Sequence, residues 1–441
     1  MQQRDQLGVH AEPEGPPSQE RGKKGIWAQS VLAPFNVTAF RYQWPSDLMT
    51  AVATEMEVVI LGWYVLNETG SVLMLTLYGA LHFFGTLAAP LIGVAGDRIG
   101  LRPLLVLMRA AYVAITAILT MLALTGRIST NVVFILATLI ALVRPSDISV
   151  RTAIVAKLMP PALLTGAVGL SRSTGDVARI FGALAGAALF ALFGIGLAYV
   201  AILSLYLAGM ILTMAAGVVG TGAPAPVPIQ APRRSPVREL SAGLRYVWQT
   251  PHLKAGMWLA VLANLTAFPL TSGLMPFVAR DVYGLDKTGL GLFIASFAAG
   301  ALLGSLTVGA IGSRLRLGRQ MLMASAIWHL LLLGFVHAPG PISGALFLVL
   351  AGFAQSISMV SLAAMLLRTS ATEYHGRIMG VRMLSTYSLP VGLIILGALI
   401  ERIGFAVTAS LWVLTGVVLT VAIAVNWRAA IWAHDAPANA R

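Results

Sequence analysis

An all-helical membrane protein, with twelve transmembrane helices in two six-helix bundles related as parallel repeats, is the fold class this sequence predicts. Three observations carry it. Hydrophobic residues make up 57% of the 441-residue chain, charged residues only 11%, and mean hydropathy is +0.82, whereas ordinary soluble domains carry about 25% charge. Apolar runs of the length that crosses a bilayer, about 20 residues, recur along the whole chain. A glycine-rich basic turn, GVAGDRIGLR from Gly93, has a weaker copy half a chain later, GAIGSRLRLGR from Gly309.

Residues 1–41 are polar, with no apolar core or small-residue cleavage site, and are expected to stay in place as a cytoplasmic tail. Spans are predicted at 43–66, 71–93, 104–125, 131–150, 163–190 and 196–219, and again at 255–277, 288–311, 320–337, 342–366, 378–400 and 404–426. These runs are too long and too unalternating for barrel strands. They give one bundle at 42–220 and a second at 255–427, followed by a tail at 428–441. The Pro- and Ala-rich stretch from 221 reads as an extended linker. Within the linker segment 221–254, VRELSAGLRYVWQ places Leu240, Leu244 and Trp248 on one helical face, which predicts a short amphipathic helix on the membrane surface.

The net charge is +13, but the basic residues are scattered between apolar runs rather than gathered on one domain, which argues against nucleic acid as a partner. With the N-terminus inside, the inward segments hold 21 of the 30 Lys and Arg, the outward loops hold four (Arg127, Arg280, Lys287, Arg402), and five lie within spans. That bias predicts both termini on the cytoplasmic side. The chain has no Cys, so disulfides, thiolate nucleophiles and thiolate metal sites are excluded.

The turn Gly93-x-x-Gly96-Asp97-Arg98-x-Gly100-x-Arg102, lying between the second and third spans, resembles the signature loop of the major facilitator superfamily. Gly309-x-x-Gly312-Ser313-Arg314 is similar to that family's second-half copy. The stretches WPSDLMTAVATEMEVVILGWYVLNETGS and GRIMGVRMLSTYS look like its branch of bacterial siderophore and macrolide exporters. The resemblance implies that Asp97 latches the two halves in the outward-open state and releases them in the inward-open state. Leu101 stands where a second basic residue is usual and Ser313 where an acid is usual, so the latch is expected to be one-sided. Gly182 to Gly186 resembles the family's antiporter motif, although Ala183 replaces its proline and Ala187 its second glycine.

A charged side chain at the centre of a span costs about 2.5–3.5 kcal/mol on insertion scales, so it usually faces a cavity or a partner. Such residues concentrate in the first half: Asp47, Glu55, Glu57, Arg109, Arg144, Asp147, Arg172, Asp176 and Arg179. Glu55, Glu57 and Asp176 are the proton-coupling candidates, because a carboxyl taken out of water exchanges protons nearer neutral pH than one in solution. Two positions apart on a helix, Glu55 and Glu57 cannot both face one cavity squarely; one is expected to line the path and the other to need a partner. Arg144 and Arg179 are the substrate or counter-ion candidates. Gly175, Gly182 and Gly186 form a small-residue flank expected to pack closely against a neighbouring helix. Arg144, Asp147 and Arg151 share a face near the inner end and are expected to join the Asp97 latch. His82 and His329 read as hydrogen-bonded packing residues, and Trp44, Trp63, Trp412 and Trp427 as an interfacial belt.

No phosphate-binding loop, nucleophile elbow or zinc-protease motif occurs, and no cofactor or metal is implied. The expectation is a secondary transporter of the cytoplasmic membrane, not an enzyme, with a small-molecule substrate, protons and the lipid bilayer as its partners. Proton-coupled export of a small organic or amphiphilic compound by alternating access is the main reading. Uptake of an anionic metabolite and a non-transporting membrane sensor are the alternatives.

Overall fold

The computed structural model describes residues 32–83, 98–219, 236–311 and 316–433. Among the described residues every regular element is helical. The first bundle comprises α1 (Thr38–Thr69), α2 (Val72–Leu81), α3 (Leu101–Leu124), α4 (Thr130–Leu158) and the two arms of Pro161–Val219, α5 (161–193) and α6 (195–219). The arms separate at Gly194, whose φ of 76° and ψ of 178° lie outside helical space, a conformation that the missing Cβ permits. After α7 (Pro236–Gln249), the second bundle follows with α8 (Pro251–Thr266), α9 (Lys287–Ile311), α10 (Leu317–Val336), α11 (Pro341–Arg368), α12 (His375–Leu384), α13 (Ser388–Ile403) and α14 (Phe405–Asn426).

Among the described residues nine helical stretches are long and apolar enough to cross a membrane, and the one over 166–217 contains two such lengths. Val72–Leu81 is a shorter apolar helix, and α8 with the short turns Phe268–Ser272 and Met275–Phe277 supplies the last. The arrangement is that of twelve helices in two bundles.

The seventh span departs from the expected single helix over 255–277. Pro269 has no N–H to give the carbonyl four residues back and crowds it, and α8 ends at Thr266. The released carbonyl, that of Leu265, accepts a bond from Trp412 Nε1 at 3.0 Å. Trp412 is therefore a stitch between α14 and the break. Trp44 is a stitch too, donating to Thr174 Oγ1 at 2.9 Å, and Trp63 is only 7% exposed.

We call the end of the molecule where α1 begins and α14 ends the terminal side, and the other the far side. Within the first bundle α1 packs along α5 and α6; within the second, α11 packs against α9 and α10. The bundles meet where α5 lies on α9 and α2 on α13.

Candidate functional site

Glu55 lies about midway along α1. Towards the terminal side of it Pro45, Leu48, Val52 and Glu55 itself form a partly exposed stripe at helical spacing, whereas Val59 to Trp63 are all buried. What places the carboxylate is α5. A Cβ on Gly182 would fall 2.7 Å from Glu55 Cβ and 2.8 Å from the Val52 carbonyl, and one on Gly186 would fall 2.9 Å from Met56 Cα. Backbone contact this close requires glycine, and it leaves the Glu55 side chain to reach across to α4. There Arg144 Nη2 stands 3.8 Å from Glu55 Oε1, with the two side chains 25% and 21% exposed. A charge in mid-span usually faces a cavity or a partner, and here each member of the pair has the other as its partner.

Glu57 points the other way. It is 4% exposed and lies inside the first bundle, where the Tyr206 hydroxyl of α6 donates to its Oε2 at 3.3 Å. The two glutamates thus face different ways, as their spacing predicts, but the half-buried Glu55 is the one paired to an arginine, and the enclosed Glu57 accepts from Tyr206 instead.

The latch expected of Arg144 and Asp147 with Asp97 falls outside the described residues on its Asp97 side, and within them the two α4 side chains diverge. Asp147 turns inward to Arg109 on α3, its Oδ1 lying 3.9 Å from Nε, while Arg144 turns to α1. Arg109, 1% exposed, binds Asp47 Oδ1 through Nη2 at 2.6 Å and the Ser46 carbonyl through Nη1 at 2.8 Å; Thr50 Oγ1 accepts from the same Nη1. Gln43 Nε2 completes the Asp47 side at 2.9 Å. This cluster ties α1, α3 and α4 together, and its charges are engaged in holding the bundle.

On α5, Arg179 is half-buried and forms no ion pair among the described residues. Asp176, one turn away, is also half-buried. The expected packing role holds for Gly182 and Gly186 but not for Gly175, where a Cβ would meet nothing within 4 Å; the close approach to α1 begins one turn further along. Of the gating turn, Gly93, Gly96, Asp97 and Arg314 lie outside the described residues. Gly100 has a φ of +90°, as its place in a tight turn requires. Arg98 is exposed, and Arg102 Nη1 donates to the Gly217 carbonyl at 3.1 Å, near the end of α6. Gly309 is exposed, with nothing within 4 Å of a built Cβ.

Among the described residues, polar contacts that cross between the bundles gather on the far side, and sequence reading missed them. Glu401 on α13 accepts from Ser71 Oγ at 2.6 Å and from the Leu73 amide at 3.0 Å, so an anion caps the N-terminus of α2. Arg280 donates to the Leu66 carbonyl near the C-terminal end of α1 at 3.1 Å. Lys287 Nζ sits 3.9 Å from the centroid of the Phe190 ring. Each contact sets a charge of the second bundle on a neutral group of the first. The signal of Ser71 as a helix cap is legible in sequence; its partner, 330 residues away, is not. The histidines behave as packing residues: His329 Nε2 bonds Thr266 Oγ1 at 2.8 Å and Nδ1 bonds the Ser325 carbonyl at 2.8 Å, while His82 bonds the Tyr78 carbonyl at 3.1 Å.

Comparison with known proteins agrees with this architecture. Macrolide efflux protein A of Streptococcus pyogenes is 22% identical over 390 residues, 86% of this chain and 92% of that protein. Among solved structures, the nucleoside transporter NupG superposes with a TM-score of 0.67 at 14% identity, covering 88% of this chain and 98% of that one. The POT family transporter PepTSo gives 0.68 at 11% identity, covering 89% and 98%. A bacterial homologue of the human lysosomal transporter Spinster, in an inward-facing and unoccupied conformation, gives 0.65 at 13% identity, covering 90% and 97%. The Major Facilitator Superfamily profile matches residues 44–394, and the chain belongs to that family, as a multi-pass membrane transporter rather than an enzyme.

Proposed function

We propose that the chain is a secondary active transporter of the cytoplasmic membrane that exports a small organic or amphiphilic compound in exchange for protons. The observation that carries this reading is the loose, partly exposed Glu55–Arg144 pair at 3.8 Å in mid-span. Ionised Glu55 holds Arg144; a proton on Glu55 ends the attraction and changes the charge the cavity presents to a substrate. Proton and substrate then compete for one site, which is the thermodynamic requirement for exchange. The Lys and Arg bias assigns the terminal side to the cytoplasm, so the far-side contacts of Glu401, Arg280 and Lys287 close the path to the outside and the cavity opens inward. Rocking of the bundles about the α5–α9 and α2–α13 contacts reverses this access. The name of the streptococcal relative supports export of an organic compound.

The test is accumulation of a fluorescent amphiphile in energised everted vesicles containing the protein. Accumulation that collapses when the pH gradient is dissipated by a proton–cation exchanger, with the membrane potential kept, is the expected result. Accumulation that continues unchanged would remove proton coupling. One observation favours a second reading, uptake of an anionic metabolite: Arg179 is a half-buried cation with no ion pair among the described residues. That reading requires Arg179→Gln and Arg144→Gln to weaken binding of organic anions.

A further inference from the structure

Helix α7 has three sides. At about 100° per residue, Gly243, Tyr246 and Val247 fall on one arc, Leu240, Leu244 and Trp248 on the next, and Ser241, Arg245 and Gln249 on the third. The first arc lies on protein. Val247 is fully buried, a Cβ on Gly243 would fall 2.9 Å from Arg377 Cβ, and the Tyr246 ring stacks on Tyr374 at 4.2 Å and 7°. Beyond Tyr374 the Arg377 guanidinium sits 5.1 Å over the same ring, so α7 is clamped to α12, the terminal-side end of the eleventh span.

The second arc is apolar and uncovered, with Leu240, Leu244 and Trp248 exposed by 37%, 41% and 52%. It is continuous with the lipid-facing surface of the seventh span, since Trp248 lies 6.2 Å from Trp258, itself 43% exposed on α8. The third arc is polar and exposed. Protein on one side, apolar surface on the second and polar surface on the third is the geometry of a helix lying in a bilayer interface. The cations are where headgroups would lie: Arg245 is exposed on the polar arc, and Lys254 Nζ is 5.4 Å from the Trp248 ring.

We propose that α7 binds anionic phospholipid headgroups through Arg245 and Lys254, with Trp248 in the acyl boundary, and so ties the terminal-side leaflet to the end of the eleventh span. Each cation near an anionic surface contributes about a fivefold gain in binding. The proposal is independent of the direction and coupling of transport.

The test uses the full chain in nanodiscs containing phosphatidylcholine or phosphatidylglycerol brominated on the acyl chains. Tryptophan fluorescence is read for wild type and for Trp248→Phe, which isolates one of nine tryptophans. The expected result is quenching of the Trp248 component at a lower mole fraction of phosphatidylglycerol than of phosphatidylcholine, with the advantage falling about fivefold in Arg245→Gln. Quenching identical in wild type and Trp248→Phe would take α7 out of the bilayer and leave its apolar arc for a protein partner. Equal quenching by the two lipids would remove the anionic site.

Discussion

Arg109 and His329 hold corresponding places, each on the third helix of its bundle and each linked to the first helix, Arg109 to Asp47 and His329 to Thr266. Their side chains are equally hidden, 1% and 0% exposed. One link is an ion pair with a second carboxylate nearby; the other is a neutral hydrogen bond. Each bundle therefore stitches its first helix to its third with a buried side chain, charged in the first bundle and uncharged on the Thr266 side in the second. The same asymmetry runs through the interiors, since among the described residues the ion pairs within spans, Asp47–Arg109, Arg109–Asp147 and Glu55–Arg144, all lie in the first bundle. Among the described residues the first bundle thus carries the ion pairs inside its spans, and the second carries its charges at the seam.

That contrast can be broken by substitution. Arg109→Leu leaves Asp47 and Asp147 buried without their cation and is expected to cost about 3–5 kcal/mol, read as loss of folded protein on heating in detergent. His329→Leu removes a neutral bond and is expected to cost about 1–2 kcal/mol. Equal losses would show that charge is not what distinguishes the two stitches.

The next effect sharpens the picture of α5, the helix by which the first bundle meets both its own α1 and the second bundle's α9. Gly182→Leu must push into Glu55 Cβ and the Val52 carbonyl, and an overpacking cost of about 1–3 kcal/mol is expected. At Gly175, where a Cβ meets open space, Gly175→Leu is expected to stay within about 0.5 kcal/mol of wild type. Comparable destabilisation at the two positions would refute the close approach to α1.

The smallest effect concerns the seam. Glu401→Gln removes a surface charge from the N-terminus of α2, a contact of about 0.3–1 kcal/mol, so the far side should open more often. Because the chain has no native cysteine, Thr69→Cys offers a single reporter. Its alkylation is expected to quicken by up to about fivefold in Glu401→Gln, by the same free energy. An unchanged rate would show that Glu401 does not hold the seam.

The helices were legible in the sequence because a bilayer forces long apolar runs, and the concentration of charge in the first half followed by counting. Spacing alone separated Glu55 from Glu57 but could not say which would be buried, since that depends on where α5 lies. Pairings across the bundle were illegible for the same reason. Arg144 and Asp147 share a face of α4 by sequence, yet they diverge to α1 and α3 because each follows its own nearest opposite charge. The break after Thr266 was readable from Pro269; that Trp412 would take the released carbonyl was not. The aromatic-belt reading failed at Trp63, which is buried, because a position near a predicted helix end does not say whether that end is buried.

The most direct test of the central claim is substrate-triggered proton release from energised everted vesicles, measured side by side for wild type, Glu55→Gln and Glu57→Gln with a compound the wild type transports. The division of the two glutamates predicts that release falls to background in Glu55→Gln and persists in Glu57→Gln. Release kept in Glu55→Gln and lost in Glu57→Gln would contradict it, moving the coupling group from the cavity pair to the enclosed carboxyl beside Tyr206.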